Sequence, residues 1–283
     1  MKNKCIKSIL GLAIIFLLLT LVFFPIVFTQ NANPILIEVS DTMIRYNQCT
    51  PKKTVVNALD HNGRLDVTVW NIYKENRSDV FNDLLRMSKD NNLMLLQEVL
   101  LKPQMQQYIK AQGLHADMAS AFKIFDVPSG VMNLSRSPAI SSCDYLTKEP
   151  WLRLPKSALI SHFPLSNGQT LLVLNLHAIN FSWRLTAFNA QLQVLAQQLK
   201  QHQGPILMGG DFNTWREARL QQVKNMVQAL GLQEALYTSD RRRTFLGYHL
   251  DHLYYRDLNF ISAQSLPLTS SDHNPIQANF QLQ

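Results

Sequence analysis

From residue 66 onward the chain alternates two kinds of apolar pattern. Residues 66–72, 93–99, 171–177 and 205–209 are short, largely apolar runs, as expected of strands covered on both faces. Between them, apolar residues recur at spacings of three and four. Val80, Phe81, Leu84 and Leu85 predict a helix over 78–88 with Ser78 as its cap. Leu185, Phe188, Leu192, Leu195 and Leu199 predict one over 184–201. Leu220, Val223, Val227 and Leu230 predict one over 215–230, and 102–112 suits another. The stretch 117–162 predicts several short strands with turns at 128–130 and 135–138, and 250–255, 258–262 and 275–280 predict late strands. Strands alternating with helices imply layered α/β architecture. No internal repeat or low-complexity tract interrupts the pattern.

The N-terminus follows another rule. Lys2, Lys4 and Lys7 precede an uncharged, mostly apolar run over 8–29. A membrane-spanning helix needs about 20 apolar residues, whereas a signal-peptide core has roughly 7–15. Val27, Phe28, Thr29 and Gln30 offer only a weak small-residue cleavage site, so residues 1–30 are expected to be a retained anchor. With basic residues before the run and none after it until Arg45, the remainder is expected on the extracytoplasmic side, or secreted if the segment is cut. Residues 31–65 read as a linker, with a short extended piece at Ile35-Leu36-Ile37. Cys49 and Cys143 would then meet an oxidising compartment, and one disulfide or two free buried thiols both remain open.

Charge adds little. The formal +7 includes the three anchor lysines; without them 24 Lys+Arg face 20 Asp+Glu, a net of +4. That suits an anionic substrate without demonstrating nucleic-acid binding. The densest basic cluster, Arg241-Arg242-Arg243, reads equally as a solvated turn or a phosphate-steering patch.

The chemistry lies where the apolar runs end: Val-Trp-Asn (69–71), Leu-Leu-Gln-Glu (95–98), Leu-Asn-Leu-His (174–177), Gly-Gly-Asp-Phe-Asn (209–213), Leu-Asp-His (250–252) and Ser-Asp-His-Asn-Pro (271–275). Residues that converge at strand ends build sites. Carboxylate and amide oxygens suit a hard divalent cation, and imidazoles suit proton or charge work on a phosphate ester.

In this order the motifs resemble the endonuclease/exonuclease/phosphatase superfamily. Val-Trp-Asn-Ile-Tyr-Lys (69–74), Pro-Ser-Gly-Val-Met (128–132) and Leu-Pro-Lys-Ser-Ala-Leu (154–159) are similar to its bacterial YafD-like branch. The resemblance spans 66–283 and implies a catalytic domain there with a DNase I-like four-layer α/β sandwich, two packed mixed sheets flanked by helices. It also implies Mg²⁺- or Mn²⁺-dependent hydrolysis of phosphate esters by direct water attack. On this resemblance Glu98 is the main metal ligand, supported by Asn71 and Asp272. Asp211 orients and deprotonates the water, Asn213 donates to the phosphoryl oxygen, and His177 contacts phosphate. His273 stabilises developing charge with Asp251 behind it. Arg153 and Arg184 are weaker candidates for substrate phosphate. His252, beside Asp251 on a strand, is expected to point away and serve structure.

The expected activity is a metal-dependent phosphodiesterase, foremost a nuclease acting on nucleic acid. A phospholipid- or sphingomyelin-type phosphodiesterase or a phosphatase is the alternative, and a non-catalytic binding module on this fold is the second. The sequence predicts membrane association through the N-terminal segment and no protein partner.

Overall fold

The computed structural model describes residues 27–40, 42–151 and 153–283. The expected anchor therefore lies almost wholly outside the described residues, among which no helix is long and apolar enough to cross a membrane.

Two mixed sheets pack face to face. The larger, in the order β15-β16-β3-β4-β6-β5-β1-β2, contains β1 (Phe28–Val39), β2 (Met43–Asn47), β3 (Arg64–Asn71), β4 (Leu93–Leu100), β5 (His115–Ile124), β6 (Val127–Ser135), β15 (Leu258–Ser265) and β16 (Ile276–Leu282). The smaller, in the order β11-β14-β10-β9-β8-β7, contains β7 (Ser141–Lys148), β8 (Pro155–Pro164), β9 (Thr170–His177), β10 (Ile206–Asp211), β11 (Gln233–Glu234) and β14 (Asp251–Arg256). A small hairpin pairs β12 (Thr244–Phe245) with β13 (Tyr248–His249).

Burial explains the unbroken apolar runs. On β3, Leu65, Val67 and Val69 face Leu171, Val173 and Leu207 in the core between the sheets. Trp70 joins the outer core under α1 (Val80–Ser88) and α2 (Pro103–Ala111). On the other sheet Leu172, Leu174 and Met208 lie under α3 (Leu185–Lys200) and α4 (Glu217–Ala229). Strands sandwiched between a sheet and a helical layer must be apolar on both faces, so the expected four-layer sandwich is the architecture observed.

Each sheet holds one parallel strand pair joined through a helix: β3–α1–β4 in the larger and β9–α3–β10 in the smaller. Parallel strands put their C-terminal ends on the same side, so Asn71, Glu98, His177 and Asp211 gather at one edge.

Three expectations are corrected. The presumed linker contributes β1 and β2, which add to the larger sheet beside β5, and Cys49 is disulfide-bonded to Cys143 at the start of β7. The piece at Ile35–Ile37 is therefore part of an integral strand. Pro128-Ser129-Gly130 lies within β6; the turn falls earlier, at Phe125 and Asp126, both at positive φ. The first helix begins after Asp79, and Ser78 does not cap it.

Candidate active site

The backbone aligns the site before any side chain is considered. In the smaller sheet, Asp211 is paired with His177 on one side and Asp251 on the other, so three candidate residues stand in one row. The row depends on Gly210: a Cβ there would lie 2.0 Å from the Leu176 carbonyl oxygen. In the larger sheet Asn71 pairs with Gln97, after which the ladder breaks and Glu98 takes φ 56°. Asn213 sits at φ 51°. Left-handed conformations at non-glycine residues cost roughly 1–3 kcal/mol each, and surrounding contacts must hold them. Gln97 supplies one, donating from Nε2 to Asn175 Oδ1 at 2.7 Å across the two sheets.

Asp211 is the hub. Its Oδ2 accepts from Asn71 Nδ2 at 3.1 Å and its Oδ1 accepts from the Asn213 backbone N–H at 2.9 Å. His177 Nε2 lies 3.5 Å from Asp211 Oδ2 and 3.8 Å from Glu98 Oε1, bridging the two sheets. His273 Nε2 approaches Asp211 Oδ2 at 4.0 Å, while its Nδ1 lies 2.7 Å from Asp251 Oδ2. Trp70 Nε1 donates to the His273 carbonyl at 2.9 Å, which fixes this loop against β3. The position of His273 is thus set from both sheets.

The electrostatics divide the site in two. Burial would lower the His273 pKa, but Asp251, in Coulombic and hydrogen-bonded contact, and Asp211 raise it to about 10, so the ring is an imidazolium at neutral pH. Burial raises Asp211 to about 6, against the opposing pull of His273. Burial would likewise raise Glu98, yet Lys156 and Lys74 outweigh it and hold the carboxylate below its ordinary range. His177 falls well below the usual imidazole value because it is buried and faces Lys156, whose Nζ lies 2.8 Å from its Nε2.

The residues expected at the site gather around Asp211. Asp211, Asp251 and His273 are a cluster whose ligand atoms lie within 4.8 Å of one another and could hold a metal ion. Asn71 gives its amide oxygen to the Tyr73 backbone N–H at 3.1 Å and donates from its NH₂ to Asp211, so it orients that carboxylate. Asp272 is half-buried beside His273, where it adds negative charge. Within the Asp-Asp-His cluster an imidazolium already offsets part of the carboxylate charge. Glu98 opens onto a pocket with Lys74, Phe122, Ser129, Lys156 and His177, and a cation seated on its carboxylate would take the place of the Lys74 ammonium now in contact with it. A hard cation needs only one or two carboxylates, so Glu98 fits as its seat.

Four residues escaped the sequence reading. Lys74 contacts Glu98 from a turn in which Tyr73, Lys74 and Glu75 all have positive φ, and Lys156 enters from the start of β8. Both stand in motifs that carry the resemblance, which was the available signal. Arg219, fully buried in α4, donates from Nε to the Asn213 carbonyl at 2.7 Å and from its terminal nitrogens to the Ile179 and Ser182 carbonyls. Glu149 accepts from the Asn180 and Phe181 backbone N–H groups. Together they pin the loop after β9 from opposite sides.

That loop forms one wall of an open cavity of about 820 Å³ beside the site, lined by Trp151, Phe181, Trp183, Trp215, Phe245 and Leu246, with Asn213 on its wall. Of the expected arginines, Arg153 and Arg184 are exposed in the loops that carry Trp151 and Trp183. Arg242 is buried, 3.1 Å from Glu234 and 2.8 Å from Asp240, and stacked on Tyr237, so it is not a phosphate-steering residue. His252 is structural as expected, held between Glu234 at 3.0 Å and Thr214 at 2.8 Å.

The sequence profile of the Endonuclease/Exonuclease/phosphatase family matches residues 68–273. A "UPF0294 protein" of Vibrio campbellii is 40% identical over 275 residues, covering 96% of this chain and 98% of that protein. Among solved structures, an endonuclease/exonuclease/phosphatase from Bacteroides vulgatus superposes with TM-score 0.61 at 15% identity, covering 78% of this chain and 99% of that one. D. rerio TDP2 complexed with single strand DNA product superposes with TM-score 0.55 at 16% identity, covering 77% and 99%. At these identities the likeness concerns the fold.

Proposed function

The chain belongs to the endonuclease/exonuclease/phosphatase family, and on that footing we propose that it is a divalent-metal-dependent phosphodiesterase whose substrate is nucleic acid. The observation that carries the reading is the convergence of Asp211 and Glu98 from the two sheets on His177, whose Nε2 lies 3.5 Å from Asp211 and 3.8 Å from Glu98, so that a candidate base and a candidate cation seat face one small space.

In this reading Glu98 would hold Mg²⁺ or Mn²⁺, which when bound would supply charge neutralisation to a phosphate ester. Asp211, raised to about 6 and aligned by Asn71 and the Asn213 N–H, accepts the proton of the attacking water. His273, held as an imidazolium by Asp251, stabilises the charge that develops on phosphorus oxygens. Asn213 gives one amide hydrogen to the Ala178 carbonyl at 2.9 Å, which leaves the other for a phosphoryl oxygen. Lys156 and Lys74 add fixed positive charge beside Glu98. Attack is direct, without a covalent enzyme intermediate.

The D. rerio TDP2 complex with single strand DNA product supports a nucleic-acid substrate, as does the net positive charge of the chain. We also place the domain outside the cytoplasm, behind the N-terminal apolar segment. The Cys49–Cys143 disulfide supports this, since such bonds persist in oxidising compartments.

The test uses the full chain in detergent with Mg²⁺ or Mn²⁺ against DNA, RNA and sphingomyelin. Asp211→Asn and His273→Ala serve as controls. Cutting of DNA or RNA that both variants and EDTA abolish is the expected result. Headgroup release from lipid alone would keep the chemistry and overturn the substrate, and folded, metal-binding protein without turnover would favour a binding module.

A further inference from the structure

The cavity beside Asn213 is apolar, open and built from five loops or turns, and its aromatic rings are unusually exposed. Trp151 is 76% exposed, Trp183 71% and Phe245 53%. Large aromatics left in water at a concave surface mark a binding site. Three arguments identify the occupant.

The first is cationic rhythm. Each tryptophan of the cavity is followed at once or after one residue by arginine: Trp151-Leu152-Arg153, Trp183-Arg184 and Trp215-Arg216. Arg216 lies over both neighbouring indoles, 5.6 Å from the Trp183 ring and 5.3 Å from the Trp215 ring, and donates to the Trp183 carbonyl. Aromatic platforms interleaved with cations are how proteins hold unpaired nucleobases while tracking a phosphate backbone.

The second is continuity. Asn213 lines the cavity and its backbone N–H bonds Asp211 at the end of the row, so a group entering the cavity is attached close to the scissile phosphate. The third is polarity at the walls. Asn180 and Ser182 stand among the rings and offer hydrogen-bonding partners to a base edge. Arg219 and Glu149 hold their loop in place, so the platform is organised before anything binds.

We propose that this cavity is a stacking site for one or more unpaired nucleobases next to the scissile phosphate, which makes single-stranded nucleic acid the preferred substrate. The inference rests on the phosphodiesterase reading above but names a subsite that reading does not require. Bases in a duplex are already paired and stacked, so they cannot enter without prior opening.

The test separates binding from turnover. With EDTA present, the full chain is titrated with oligothymidylate, a duplex of equal length, and a base-free deoxyribose-phosphate oligomer, following tryptophan fluorescence. Trp70 is buried away from this cavity, so quenching reports the other three tryptophans. Oligothymidylate should quench and bind at least about tenfold more tightly than the other two probes, since stacking on an aromatic side chain is worth about 1–3 kcal/mol per base. Trp183→Ala and Phe245→Ala should each cost about fivefold or more in affinity for it. With Mg²⁺ restored, the parent chain should cut oligothymidylate faster than the base-free oligomer, and both variants should shrink that difference. Equal binding of base-free and base-bearing oligomers overturns the stacking site while leaving the phosphodiesterase intact. Quenching by phosphatidylcholine–phosphatidylglycerol vesicles, but not by oligothymidylate, overturns it in favour of lipid. Absence of cleavage with normal oligothymidylate binding would sink the catalytic reading and retain the subsite.

Discussion

Lys156 Nζ lies 2.8 Å from His177 Nε2, and that contact fixes the state of the imidazole. An ammonium can only donate, so Nε2 must be the unprotonated nitrogen and the ring neutral. Burial and the Lys156 charge both lower the His177 pKa, in that order. We expect the His177 ring nitrogens to titrate, by NMR, well below the ordinary imidazole range. In Lys156→Met the pKa should rise toward the ordinary value near 6.5. Loss of a charge-assisted contact worth about 1.5–3 kcal/mol should lower turnover roughly ten- to a hundredfold. A His177 resonance that titrates normally in the parent protein would refute the assignment.

Asp251 sets the charge of His273. Replacing it by Asn removes the main force that raises that imidazole to about 10. Burial, which lowers the pKa, is then opposed chiefly by Asp211 and Asp272, so the imidazolium is lost more readily as pH rises. Asp251→Asn should therefore lose activity unevenly, by about a hundredfold or more at pH 8 and less at pH 6. The ratio of kcat/KM for parent and variant across this range is the readout; a ratio independent of pH would show that Asp251 acts only in packing.

How much of this was legible in the sequence depended on period and neighbourhood. The four strands that carry Asn71, Glu98, His177 and Asp211 at or near their ends were legible because burial on both faces leaves an apolar run with a polar residue after it. β1 and β2 were not, because they form one edge of the larger sheet and carry Asn, Pro and Thr among the apolar positions. The catalytic row could be named residue by residue, since each member ends or begins a strand. Arg219 could not, because helix periodicity gives no sign that a charged residue points inward to loop carbonyls. Nor could the aromatic cavity, whose rings come from loops remote in sequence and meet only in the fold.

Arg219 carries structural weight that its position in an amphipathic helix conceals. Its guanidinium is buried over the Phe188 ring at 4.0 Å, and burial lowers its pKa to about 10. Arg219→Met keeps the stem and orphans the carbonyls of Ile179, Ser182 and Asn213. Leaving buried polar groups unpaired costs about 1–3 kcal/mol each, so a total near 3 kcal/mol and a melting point roughly 6–12 °C lower are expected. Calorimetry checks this, and an unchanged melting point would mean the loops are held elsewhere.

The Cys49–Cys143 bond ties β7 to the segment after β2 across a sequence separation of 94. A cross-link closing a loop of that length stabilises by about 4–5 kcal/mol in the chain-entropy account. Cys143→Ser should unfold at a denaturant concentration lower by an amount matching that figure. Equal midpoints for the parent protein with and without reductant would contradict a stabilising disulfide.

Asp144, beside that disulfide, provides a pH test of stability. Its side chain is fully buried, and its Oδ2 accepts the Ile35 backbone N–H at 2.8 Å, joining β7 to β1. Burial raises its pKa to about 8, against a small opposing effect of that hydrogen bond. The folded state therefore keeps a proton that the unfolded chain gives up near pH 3.8. For an acid raised in this way, the unfolded state binds fewer protons over the interval, so stability falls as pH climbs from about 4 to about 8 and then levels. Asp144→Asn imitates the protonated carboxyl and keeps an oxygen for Ile35, but has no proton to lose. The variant should gain on the parent steadily between pH 5 and pH 8, and the difference between their melting points cancels the titration of every other group. A difference that stays constant over that interval would mean Asp144 is already ionised in the fold.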